Sequence, residues 1–364
     1  SDWKNARASL IFSFSACGKK TKESETKNTT IAPETTTAPK QKKDIKTIDD
    51  ILYLNEKLNA LADYILTRQG LKYEKDTIDI PGAGKMAMVS NHSWNSLKEY
   101  LNKYIQSPLV ERYYKGDGST QSDSSIFVSE GTMYVSTDGE IRNVTIKPDT
   151  AELVEVLPNN VVVIKVGIDH YFNDIEPFIY ISLSFDGDDL KIMNYYYGNN
   201  EVAKLNSIVD LAYVMDGFSR YCECLDFEEL FESHTGSIKV SGKYLTPLDS
   251  TAYKSLEDVR NFLRQYFSDK FIDDDQYFVK GKYQSFLMYE GKVYATERAS
   301  KNAGRFDRYY EVVWAAEDAD LISIDEKGIL TVEIYIECSG TFTSCTYKLE
   351  GGVYKLDDID YLHV

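Results

Sequence analysis

A cysteine near the start of the chain has the sequence context of a lipid-modified residue. It belongs to the run Phe14-Ser15-Ala16-Cys17-Gly18, in which small residues precede the thiol. Two basic residues and a short apolar segment come before this run, which is the order of parts in a bacterial lipoprotein signal. We therefore interpret residues 1–17 as a truncated lipoprotein signal peptide with its lipobox, and expect acyl chains on Cys17. The alternative is a buried N-terminal strand with an incidental cysteine.

Residues 18–46 would separate this anchor from the folded protein. They include seven threonines, eight lysines and no aromatic residue. Such a composition cannot bury enough apolar surface to offset the entropy of ordering the segment. We expect a disordered tether. Because no segment approaches the roughly 18 apolar residues of a membrane span, we expect the lipid anchor to be the protein's only membrane contact, on the outer face of the cytoplasmic membrane.

The remaining residues are strongly acidic. The chain carries 41 basic and 58 acidic residues, and residues 47–364 hold 31 and 53 of them, a net charge of −22. Non-specific nucleic-acid binding is excluded, because it depends on phosphate neutralisation by lysine and arginine. A protein partner with a neutral or basic surface is the natural complement.

Four further cysteines lie in the second half of the chain, namely Cys222, Cys224, Cys338 and Cys345. The last two lie between strand-patterned runs, and we predict that they form a disulfide across a hairpin outside the cytoplasm. The first two are too close in sequence to bridge each other comfortably, and their state stays open. Neither pair has zinc-site spacing and the four histidines are scattered, so we predict no metal site.

The sequence contains no recognisable catalytic motif. A nucleophile needs an activating base and an orienting group, but the chain has no G-x-S-x-G, H-E-x-x-H or C-x-x-C pattern. Gly82-Ala83-Gly84-Lys85 resembles part of a phosphate-binding loop, yet it lacks the first glycine and the hydroxyl residue after the lysine. We expect a protein without enzymatic activity and without a cofactor.

An internal repeat relates residues 47–200 to residues 201–364 at a lag of about 160. The apolar positions of the matched blocks coincide. These blocks are Ile78–Gly82 with Ile238–Gly242, Trp94–Ile105 with Leu256–Phe267, and Glu130–Tyr134 with Glu290–Tyr294.

Each copy has helical periodicity first and strand alternation afterwards. Helices are predicted from Ile48 to Ile65, over 94–107, from Leu205 to Phe218 and over 255–268. Period-two alternation predicts strands at Val161–Val166, Phe178–Phe185, Gly328–Ile336 and Thr341–Leu349. We therefore predict an α+β fold of two tandem homologous domains, each with N-terminal helices and a curved antiparallel sheet.

The order of these blocks resembles the IseA DL-endopeptidase inhibitor family. The clearest match is Val259–Ser268, followed by Glu290-Gly291-Lys292-Val293-Tyr294, although the Gly-Lys-Trp common in the closing strand of such proteins is absent. The resemblance extends over most of residues 47–364, once in each copy of the repeat. It implies two modules of a Gram-positive lipoprotein that dock on cysteine-type cell-wall DL-endopeptidases and block the groove for peptidoglycan stem peptides.

Two other functions stay open. One is a small-ligand or wall-fragment binding lipoprotein with a nuclear-transport-factor-like fold, and the other is a scaffold module of envelope assembly. A closed apolar core favours the inhibitor, whereas an open pocket with convergent polar groups favours the ligand-binding protein.

A long polar loop after the second helix is the candidate partner-binding segment of the first copy. A rigid frame can present such a loop to a partner. Its candidate contact residues are Tyr114, Asp117, Ser119, Gln121 and Asp123.

Overall fold

The structure is a computed structural model that describes ten ranges of the chain. These are residues 44–80, 84–115, 126–129, 131–136, 144–170, 177–222, 237–274, 285–296, 319–336 and 341–360. The predicted signal peptide and nearly all of the predicted tether lie outside them. No helix in these ranges is long and apolar enough to cross a membrane.

The first half of the described chain places its helices around two groups of strands. After a 3-10 turn at Ile48–Asp50, helix α1 ends in a π-helical turn at Ala62–Leu66. The helices are α1 Leu54–Leu61, α2 Trp94–Leu101 and α3 Ser107–Lys115. The strands are β1 Tyr73–Ile80, β2 Gly84–Val89, β3 Ile126–Ser129, β4 Thr132–Ser136, β5 Val144–Val156, β6 Val162–His170, β7 Phe178–Asp186 and β8 Asp189–Tyr197.

The second half repeats this succession with one more helix at its start. Its helices are α4 Glu201–Ile208, α5 Leu211–Cys222, α6 Leu256–Leu263 and α7 Asp269–Asp274. Its strands are β9 Ile238–Val240, β10 Lys243–Pro247, β11 Phe286–Tyr289, β12 Lys292–Thr296, β13 Asp320–Ile324, β14 Leu330–Ile336, β15 Thr341–Glu350 and β16 Val353–Asp360.

The strands of the described ranges form four antiparallel sheets of four strands each. In the first half the strand orders are β1-β2-β4-β3 and β5-β6-β7-β8. In the second half they are β9-β10-β12-β11 and β13-β14-β15-β16. The same two orders therefore occur in both halves of the chain.

The predicted fold class is wrong. Strands account for 46% of the described residues and helices for 26%, and the four small sheets form a ring that resembles a β-propeller. The prediction of two α+β domains, each with one curved sheet, gave the helices too much length and joined two sheets into one. Residues 102–106, for example, leave the helix between α2 and α3.

Equivalent helices contact the sheets through equivalent backbone hydrogen bonds. In β8 the N–H of Ile192 donates to the carbonyl of Tyr104 at 2.9 Å. In β16 the N–H of Leu356 donates to the carbonyl of Tyr266 at 3.0 Å. The residues after α2 and α6 therefore extend the sheets in the same way, at nearly the same sequence lag as the matched blocks.

The ends of these helices also correspond. Ser93 caps α2 and Ser255 caps α6, each with a hydroxyl that accepts from a backbone N–H three residues later. An ion pair then links the second turn of each helix to the next helix, Lys98 with Glu111 in the first half and Arg260 with Asp273 in the second.

The buried apolar residues form two clusters, and one of them includes residues from both halves. The first cluster lies entirely between Ile45 and Tyr195. The second contains most of the second half's core together with Leu157, Val161 and Met193. The first half thus has a core of its own, whereas the core of the second half also includes residues of the first.

Candidate functional site

A partly open cleft of about 560 Å³ lies where the two halves meet. The first half contributes α3 and β8, and the second contributes α5, α6 and the start of β16. Near this cleft, Gly352 in the turn before β16 lies close to the first half, because a β-carbon there would be 2.6 Å from the Gln106 side chain.

A buried ion pair lies in the wall of the cleft. The Arg112 guanidinium in α3 is 3.4 Å from the Asp210 carboxylate, and the two side chains are 8% and 6% exposed. Arg112 also donates to the Asn194 side-chain oxygen at 3.3 Å and stacks over the Tyr213 ring at 4.8 Å. A buried charge needs such compensation because its desolvation costs several kcal/mol.

Asp210 also begins α5. Its other carboxylate oxygen accepts from the N–H of Tyr213 at 3.1 Å, the usual geometry of an N-terminal cap. Asn194 in turn donates to the carbonyl of Asn206 at the end of α4 at 2.8 Å. The ion pair therefore lies in a polar network that fixes α3, β8 and the corner between α4 and α5 against one another.

Aromatic side chains form much of the remaining wall. The rings of Tyr213 and Tyr266 stack with centroids 4.8 Å apart, and Phe262 meets Tyr266 edge-on at 6.2 Å. Met193 and Val214 complete an apolar surface beside them. Such a wall suits the apolar part of a ligand.

Lys355, near the start of β16, also lines the cleft. Burial lowers the pKa of its ammonium group, while the charges of Glu350 and Asp269 act in the other direction. Within the described residues it has neither a hydrogen bond nor an ion pair within 4.0 Å. The cleft thus combines an apolar surface with a half-buried cation.

The structure places the predicted partner-binding residues in two groups. Tyr114 is 1% exposed, and its hydroxyl donates to the Tyr64 carbonyl at 2.6 Å. It therefore belongs to the buried core of the first half and presents almost no surface to a partner. Asp117, Ser119, Gln121 and Asp123 lie outside the described residues, and their role stays a prediction.

Of the two cysteines of the predicted disulfide, only Cys345 is among the described residues. Cys345 is a buried free thiol opposite Val332 in the sheet, and burial raises its pKa to about 12. Cys338 lies outside the described residues, as does Cys17, so the disulfide and the lipidation stay predictions.

No group of three potential metal ligands occurs within the described part of the chain. Comparisons of the chain with protein-family models, with curated proteins and with solved structures find no match. Assignment of a function therefore depends on the residues and on the geometry of the cleft.

Sequence reasoning missed the cleft and its principal residues. Arg112 and Asp210 are 98 positions apart, and neither belongs to a motif that indicates their contact. The one available signal was Asp210 itself, because an aspartate directly before a helical run is a typical N-terminal cap.

Proposed function

We propose that the protein is a non-catalytic lipoprotein on the outer face of the cytoplasmic membrane that binds a cell-wall DL-endopeptidase and inhibits it. The proposal rests on the sequence resemblance of residues 47–364. The structural observation that supports it is the recurrence of the motif that carries this resemblance. The capped α2 and α6, with their equivalent ion pairs and sheet contacts, form one unit that is built twice.

Charge favours the same kind of partner. The net charge of −22 on residues 47–364 accelerates association with a neutral or basic enzyme surface. It also opposes close contact with anionic lipid, although that repulsion extends only about one Debye length, roughly 8 Å, at physiological salt.

The test is a rate measurement with the full chain. A purified DL-endopeptidase should lose activity on a stem-peptide substrate as the protein is added, and the protein alone should release no product. A muramidase, which cuts a different bond of the wall, is the control enzyme and should keep its rate. An unchanged endopeptidase rate at micromolar protein in low salt would contradict the proposal.

The cleft favours a second candidate function, the binding of a small ligand or wall fragment. It is open, has an apolar wall, and brings polar groups from both halves together. A bulky side chain in its wall should abolish such binding, so Val353→Trp should bind no ligand. Val156→Trp, at an exposed position of β5, is the matched control.

A further inference from the structure

Lys355 is the charged residue of the cleft wall whose ammonium group has no ion pair within 4.0 Å among the described residues, although the charges of Glu350 and Asp269 act on it. Of its two acidic neighbours, Glu350 already forms an ion pair with Lys348 at 2.8 Å and accepts from the Asp269 N–H at 3.3 Å. The Asp269 carboxylate accepts from Arg264 at 2.6 Å. Both acids are thus held by other groups.

The other charged residues of the cleft wall have partners of opposite sign. Arg112 pairs with Asp210, and Glu111 pairs with Lys98. Arg264 donates to Glu257 as well as to Asp269. In a protein with a net charge of −17, the cleft therefore offers one cation that can receive an anion.

The apolar wall defines the rest of the ligand. Phe262 is partly exposed there and meets the buried ring of Tyr266, and the cleft volume of about 560 Å³ is that of a typical small-molecule site. A ligand that fills it must therefore combine an apolar or aromatic body with its anionic group.

We propose that the cleft binds a small monocarboxylate, whose carboxylate pairs with the Lys355 ammonium while its apolar body packs on the aromatic wall. This inference rests on the second proposed function and identifies its ligand class. A single negative charge matches the single available cation. A phosphate dianion is disfavoured because Glu111 and Asp210 line the cleft and the charges of Asp269 and Glu350 act on Lys355.

The test compares two probes that differ only in charge. N-acetyl-L-phenylalanine and its amide, N-acetyl-L-phenylalaninamide, are titrated into the full chain by calorimetry. We expect the acid to bind about tenfold more tightly, since a charge-assisted hydrogen bond in a partly buried site contributes at least that much. Lys355→Met should reduce the acid's affinity to that of the amide, and Lys355→Arg should keep the preference. Lys103→Met, at an exposed position, is the control.

The outcomes separate the two levels of the proposal. Equal affinity of acid and amide for the wild-type protein would overturn the carboxylate assignment while leaving a cleft that binds apolar ligands. Failure of both probes to bind at millimolar concentration would overturn the cleft function and the assignment together. If Lys355→Met does not fold, the comparison of the two probes on the wild-type protein still decides.

Discussion

The Arg112 guanidinium lies 3.4 Å from the Asp210 carboxylate, and this buried pair connects α3 in the first half to the start of α5 in the second. The Tyr213 ring lies against the same guanidinium at 4.8 Å. The contact between the two halves is therefore partly electrostatic, and both charged residues line the cleft.

Removal of one partner of this pair should be costly. Arg112→Met keeps an unbranched apolar stem but leaves the Asp210 carboxylate buried without its counter-charge. We expect a loss of about 3–5 kcal/mol in the free energy of unfolding, measured by urea denaturation at neutral pH.

A double-mutant cycle controls for lost packing. Asp210→Asn retains a side chain that can cap α5, and the double variant removes both charges. The double variant should cost less than the sum of the single variants, by about 1–3 kcal/mol. Additive losses would show that the two charges do not interact.

The turns at the start of β6 and of β14 also meet between the halves, and a second prediction tests that contact. Gly328 has φ of +76°, and a β-carbon there would lie 2.4 Å from the β-carbon of Asn159. Gly187 has φ of +63° and nothing within 4 Å of such a carbon. Gly328→Ala should therefore destabilise the protein more than Gly187→Ala, by about 1–3 kcal/mol of overpacking.

Thermal and urea unfolding of the two glycine variants measure this difference directly. The shared cost of an alanine in the left-handed region, about 1–2 kcal/mol, cancels in the comparison. Equal losses would mean that the turn around Asn159 moves away without cost, and that this contact does not hold the halves together.

The secondary structure was predictable to the extent that periodicity specifies it. The alternation at Val161–Val166 corresponds to β6, Val162–His170. The helix predicted over 94–107 instead ends at Leu101, because Ile105 forms a bridge with Ile192 and the residue before Pro108 is disfavoured in a helix interior. Alternation identifies the faces of a strand but not its neighbours, so the division into four sheets was not predictable.

The candidate site was less predictable than the strands. Its walls come from elements separated by up to about 250 positions, and no local pattern identifies a buried arginine or an unpaired lysine. The run from Leu205 to Phe218 is predicted as one helix, whereas α4 ends at Ile208 and Asp210 caps α5. That corner brings Asp210 to Arg112, so the missed cap and the missed cleft have one cause.

A pH experiment tests the burial of Lys57, a lysine in the core of the first half. It is 3% exposed, its ammonium donates to the Leu52 carbonyl, and burial lowers its pKa to about 8. A lysine whose folded pKa is lowered binds fewer protons in the folded state, so stability rises with pH between about 8 and the unfolded value of about 10.5. Relative to Lys57→Met, the wild-type protein should gain about 2 kcal/mol between pH 7 and pH 9.5.

Urea unfolding of both proteins across this range gives the difference in their free energies of unfolding. Tyrosines and cysteines also titrate at high pH, but their contributions are the same in both proteins and cancel in this difference. Lys75→Met, at an exposed position of β1, should show no such trend. A constant difference between wild type and Lys57→Met would show that the ammonium group remains solvated.

The last prediction concerns the inhibitor proposal and the polar loop after α3. Complementary charge mainly raises the rate of association, so raising salt from about 50 to about 500 mM should slow binding to the endopeptidase and leave dissociation nearly unchanged.

Asp117→Asn combined with Asp123→Asn should lower the association rate at low salt. The matched control, Asp76→Asn with Asp79→Asn on β1, removes the same charge from an exposed strand. If both double variants lower the association rate equally in surface plasmon resonance, the rate depends on overall charge, and the loop is not the contact surface.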